Sequence, residues 1–118
     1  MSNNSSRIIA QRLCEAYNSR EIDQLDRLVS ADCVNSLAEP KQTIALESLK
    51  QAWAQLFFTF PQSHLKPENW HVEENQVNLN ALFQRLTPQG KEELAILLAA
   101  FRIKGDQIVE MINLIRWN

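Results

Sequence analysis

The sequence predicts an α+β domain, helical in its first half and β-rich in its second, on three observations. Apolar residues recur at helical spacing as far as Phe60, and from Ser63 the period becomes two. The chain's two glycines, Gly90 and Gly105, both fall at turns within that second half. A length of 118 residues suits one domain over 1–118, with 1–6 expected to be flexible. Hydrophobic residues at 45%, charged residues at 22% and a net charge of −2 exclude collagen, coiled coil, disorder and a disulfide scaffold. No long basic run is present, which argues against a nucleic-acid partner.

Ser5 or Ser6 is expected to cap a first helix whose stripe is Ile9, Leu13, Ala16 and Tyr17, ended by Asn18-Ser19-Arg20. A short second helix carries Ile22, Leu25, Leu28 and Val29 on one face, and Cys33-Val34 opens a short extended piece. A third helix, expected to be capped by Thr43, places Leu49, Trp53, Leu56, Phe57 and Phe60 on one stripe before Pro61 stops it. Gln76–Leu86 alternates Val77, Leu79, Ala81 and Phe83 against Asn78, Asn80, Leu82 and Gln84, the pattern of a half-buried antiparallel strand. Thr87-Pro-Gln-Gly90 and Lys104-Gly-Asp106 read as hairpin turns. Between them, Glu92–Lys104 is open locally to two readings: good helix material by propensity, or a strand buried on both faces. Gln107–Trp117 reads as a final strand.

The N-terminus is polar and no apolar run nears the roughly 18 residues of a membrane span, so a cytoplasmic protein without membrane association is expected. Asn3 and Asn4 lie in N-x-S sequons, taken as chance matches. Cys14 and Cys33 form no C-x-x-C or metal spacing and read as buried reduced thiols.

Tyr17-Asn-Ser-Arg-Glu-Ile-Asp23, Ser30-Ala-Asp-Cys-Val34, Ala45-Leu-Glu-Ser-Leu49, Phe58-Thr-Phe-Pro61, Gln89-Gly90 and Phe101-Arg-Ile-Lys-Gly-Asp-Gln-Ile108 stand in an order and spacing that resemble the NTF2-like superfamily, in its SnoaL-like and ketosteroid-isomerase-like branch. The resemblance spans Ile8 to Trp117 and implies a cystatin-like cone: three N-terminal helices packed in a strongly bent, mostly antiparallel sheet, with an apolar pocket at the open end. It settles Glu92–Lys104 as strand. It also implies a homodimer through the outer face of the sheet, which would explain why Leu94–Phe101 is apolar at both parities. The other reading is that both faces are covered within one chain.

Ketosteroid isomerase works with an aspartate base beside a tyrosine and a protonated aspartic acid. Aligned with that branch, the chain has Leu13 at the tyrosine's position, Leu37 at the base and Ala99 at the acid. Hydrocarbon moves no protons, so isomerase chemistry of this kind is not expected. Glu39, before Pro40, is the nearest carboxylate to Leu37. His64 and His71 fall at opposite strand parity and form no H-x-H pair, so no metal site is expected, and no cofactor motif is present. Glu110 shares a face with Arg116 and reads as salt-bridged or interfacial rather than catalytic. On the other parity of the last strand, Asn113 stands among Val109, Met111, Ile115 and Trp117, to be satisfied by Tyr17, by water or by a ligand oxygen.

Resemblance, strand parity and helix stripes together predict a pocket bounded by Leu13, Tyr17, Leu37, Trp53, Phe57, Ala99, Phe101, Met111, Asn113 and Ile115. Three functions fit. The first is a SnoaL-like protein that binds a small hydrophobic molecule without acid–base chemistry. The second is an isomerase, cyclase or dehydratase using groups such as Tyr17, Asn113 or a histidine. The third is a dimeric interaction module whose cavity is filled.

Overall fold

The computed structural model describes residues 3–35 and 42–118, with side chains from Ser5 onward. Helix α1 runs Asn3–Asn18, already formed within the stretch expected to be flexible. Ser5 and Ser6 are therefore inside the helix and not its cap. Ser6 is fully buried, and its hydroxyl donates to the Glu74 carbonyl at 2.8 Å, which ties the first turn of the helix to the sheet. The helix ends where Arg20 takes a left-handed conformation (φ 62°) and Glu21 N–H returns to the Ala16 carbonyl. The second helical segment is shorter than its stripe suggests: a 3-10 turn at Ile22–Gln24 and a single α-turn, α2, at Leu25–Leu28.

Strand β1 (Val29–Asn35) pairs with the two-residue strand β2 (Gln42–Thr43), which local sequence did not announce. Thr43 thus belongs to a strand, and helix α3 (Leu46–Thr59) starts instead from Ala45, without a side-chain cap. Strands β3 (Ser63–Glu73), β4 (Gln76–Thr87), β5 (Gly90–Lys104) and β6 (Gln107–Trp117) follow as an antiparallel meander, confirming Glu92–Lys104 as strand. The sheet order is β2-β1-β6-β5-β4-β3, and β1 lies parallel to β6. The result is an α+β fold on a mixed, mostly antiparallel six-stranded sheet.

Parity sorts the meander into two faces. Rows Val77–Phe101–Met111, Leu79–Ala99–Asn113, Ala81–Leu97–Ile115 and Phe83–Ala95–Trp117 run across β4, β5 and β6 on the helix side. Their β4 and β5 members, with Ile9, Ala10, Leu13 and Cys14 of α1, form most of the buried core. Where a row places alanine in the middle its neighbours close over it, so Phe83 and Trp117 meet over Ala95 with ring centroids 5.8 Å apart. The opposite face carries Leu82, Ile96, Leu98, Ala100, Ile112 and Leu114, of which Leu98 and Leu114 are about half exposed.

Within the meander, three irregularities change the parity expected from spacing. In β3 the register shifts between Pro67 and Asn69, where a proline belongs because it cannot donate to a ladder. That shift puts His64 opposite Gln84 and His71 opposite Asn78, on the same parity and not on opposite ones. In β5 Leu94 is the extra residue, and in β6 it is Val109, so Ile108 packs in the core in its place. The edge of β3 is closed by Asn18, whose amide donates to Leu65 O at 2.9 Å and accepts from Leu65 N–H at 2.7 Å. Cys14 and Cys33 are buried and unpaired with each other. Among the described residues no helix is long and apolar enough to cross a membrane.

Candidate functional site

Between α3, the C-terminal half of α1 and the helix-side face of β4–β6 lies a cavity of about 200 Å³. Its floor is Leu79, Phe83, Leu97, Phe101 and Met111 from the sheet, and α1 adds Leu13, Cys14 and Tyr17. Leu49, Ala52, Trp53 and Leu56 of α3 form the opposite wall, with Asn113, Ile115 and Trp117 of β6 and Leu65 of β3 completing the lining. Of the expected residues, Leu13, Tyr17, Trp53, Phe101, Met111, Asn113 and Ile115 all border this space. Leu37, like Glu39, lies outside the described residues.

Two expected residues are placed elsewhere. Phe57 packs on the far side of Tyr17, with centroids 4.8 Å apart, and is covered by the Arg20 guanidinium at 4.5 Å from its ring. Arg20 is fixed there by donating to Pro61 O at 2.9 Å and Ser63 O at 2.7 Å. Ala99 is buried in the core between Leu79 and Asn113 of its row, too short to reach the cavity surface. Leu56, one residue before Phe57, and Leu97, two before Ala99, take those places. Leu97 could have been found from strand parity, which groups it with Ala99 and Phe101.

The polar groups are few. Tyr17 is buried, its hydroxyl 2.9 Å from Ser63 Oγ, and its ring meets Trp53 edge-on at 5.3 Å. Burial raises the Tyr17 pKa, against the lowering effects of the Ser63 hydrogen bond and the Arg20 charge. The Cys14 thiol is pushed up to about 11, first by burial and then by Glu15. Both side chains are neutral at physiological pH. Asn113 is exposed at the cavity's mouth, not buried among apolar walls as its strand position suggests. The two outermost β6 residues beyond it, Ile115 and Trp117, are also about half exposed, because the strand outruns the helices there.

Among the described lining residues there is no carboxylate, histidine, lysine or arginine. The sheet's arginines pair away from the cavity: Arg85 with Glu92 at 2.8 Å and Arg102 with Glu110 at 2.7 Å. Glu110 is thus salt-bridged, as its position predicts, though to Arg102 across the strands. His64 lies on β3 away from the cavity and is held below its ordinary pKa, first by burial and then by Lys91 and Arg20. No group of three potential metal ligands occurs among the described residues.

Comparison with known proteins gives the family. The model of the SnoaL-like domain matches residues 10–111. No curated protein matches the chain by sequence. Among solved structures, IdmH from Streptomyces antibioticus, a proposed polyketide cyclase, superposes with a TM-score of 0.78 at 20% identity, covering 93% of this chain and 91% of its own. AclR from Streptomyces galilaeus, a proposed hydroxylase, gives 0.80 at 16% identity over 99% of this chain and 82% of its own. A SnoaL-like polyketide cyclase from Agrobacterium tumefaciens gives 0.77 at 10% identity over 98% and 92%. At these identities the likeness is one of fold. With the α+β topology and the length of the family match, the chain belongs to the SnoaL-like domain family, within the NTF2-like superfamily.

Proposed function

We propose that this protein binds a small, uncharged, largely apolar molecule in the cavity between α3 and the sheet, without acid–base chemistry of the ketosteroid-isomerase kind. The observation that carries this reading is the lining: hydrocarbon and aromatic side chains, with the Asn113 amide at the mouth and otherwise only the indole N–H groups of Trp53 and Trp117 as accessible polar groups. Burying a charged ligand group against such walls would cost several kcal/mol without a partner, on the order of 2–7 for even a neutral polar group. An uncharged ring system carrying one oxygen suits it better, the ring against Trp53, Phe83 and Phe101 and the oxygen toward the Asn113 amide. Leu13, at the isomerase tyrosine's position, presents only hydrocarbon to the cavity. Two buried thiols suit a reducing, cytoplasmic setting. The partner we propose for the outer sheet face is a second copy of the chain.

A second reading, a cyclase, is favoured by the names of the structural neighbours. In that case the cavity would act by folding its substrate into a reactive shape, since its described walls supply no base. The test is a calorimetric titration with 2-naphthol, an uncharged bicyclic phenol. Leu97→Trp, which fills the cavity from its floor, is expected to weaken binding at least about tenfold, while Asn113→Leu weakens it by about five- to tenfold, the worth of one hydrogen bond. Parent-like binding by Leu97→Trp would contradict the reading.

A further inference from the structure

Helix α3 is held differently from every other wall of the cavity. None of its fourteen residues is buried, although Leu49, Trp53 and Leu56 all point inward. They are partly buried, packed against the edge of the core on one side and facing the cavity on the other. The helix is tied at both ends. Ile44 N–H donates to the Cys33 carbonyl at 2.7 Å just before it, and Arg20 clamps the Phe57–Ser63 end through Pro61 O and Ser63 O. Between those ties, Lys50–Asp26 at 2.8 Å joins it to α2, the one such ion pair among the described residues, with Asp26 half exposed. Ala45 offers no side-chain cap to hold the first turn.

We propose that α3 is a strap that lifts as a unit, hinged at Ala45 and Phe60, to widen the mouth beside Asn113 as the ligand enters and leaves, with the Lys50–Asp26 pair as its latch. The purpose rests on the ligand-binding reading above; the motion does not. The floor cannot serve as the gate, because Leu79, Phe101 and Met111 are buried within continuous strand ladders. A local opening of α3 breaks the Trp53 and Phe57 ring contacts with Tyr17 but leaves every strand ladder intact, whereas opening β4 or β5 amounts to unfolding the sheet. An exposed ion pair is a weak and salt-screened fastening, suited to a latch that must open often.

Amide hydrogen exchange on the intact chain tests this. Amides of residues 50–59 are expected to exchange at least about 100-fold faster than those of 79–83 and 97–101. Asp26→Asn should speed exchange in α3 by about two- to fivefold and leave the strands unchanged. Asp26→Glu, which keeps the carboxylate, should stay near the parent rate. Exchange in α3 as slow as in the strands, or an Asp26→Asn effect equal in both, would overturn the strap. In the same experiment 2-naphthol should slow exchange in α3. If calorimetry shows that 2-naphthol does not bind, the ligand-binding reading fails, and the strap is judged on the ligand-free rates alone.

Discussion

At Tyr17 two demands meet. Its ring must complete the cavity wall beside Trp53, and its hydroxyl must find a partner in a buried place, which Ser63 supplies at 2.9 Å. The hydroxyl thus has its partner within the fold. Tyr17→Phe leaves Ser63 Oγ buried with its partner gone, an expected loss of about 1–2 kcal/mol in urea denaturation. Binding of 2-naphthol should change by less than about twofold, because the ring that touches the ligand is kept. A much larger loss of binding would move Tyr17 from the wall to the recognition group. Asn113 behaves in the opposite way. It is exposed, and nothing in its row depends on its amide, so its replacement is read in binding and not in stability.

The elements differ in how far the residues reveal them. Ala45 at the start of α3 is a poor cap, so Ala45→Ser should stabilise the protein by about 0.5–2 kcal/mol in urea denaturation. An unchanged midpoint would show that the first turn is already satisfied otherwise. Sequence spacing favoured Thr43 as the cap because it cannot see the β2 pairing that draws Thr43 into the sheet. Alternation marked β4 plainly, whereas β5 is apolar at both parities and needed the family resemblance to be distinguished from a helix. The parallel β1–β6 pairing has no local signal, since the partners lie some eighty residues apart, as Val29 and Ile108 do. Bulges are equally hidden: an extra residue at Val109 or near Pro67 reverses parity without changing the residue pattern enough to declare it. The cavity's lining was legible where a helix stripe or a local parity run carried it, as at Phe101 in β5 and at Met111, Asn113 and Ile115 in β6. It was misjudged at Phe57, because adjacent helix positions share a stripe while only one, Leu56, faces the sheet.

On the scale of the whole molecule, the face of the sheet away from the helices remains. Leu82, Ile96, Leu98, Ala100, Ile112 and Leu114 make an apolar patch across three strands, and none of the described elements covers it. The Arg102–Glu110 pair at its margin is self-compensating, so two copies can stack without opposing like charges. Sedimentation is expected to give about 27 kDa, twice the 13.6 kDa chain, and Leu98→Lys with Leu114→Lys should return the single-chain mass. A 13.6 kDa species for the parent at micromolar concentration would contradict the dimer. Under this proposal the two faces separate the roles: one for a small molecule, the other for a second copy. Methyl and amide NMR of the isotope-labelled protein with 2-naphthol reads that separation most directly. The account predicts shifts and intermolecular contacts at Leu13, Leu97, Met111 and Asn113; shifts confined to Leu98, Ile112 and Leu114, or none at saturating probe, would contradict it.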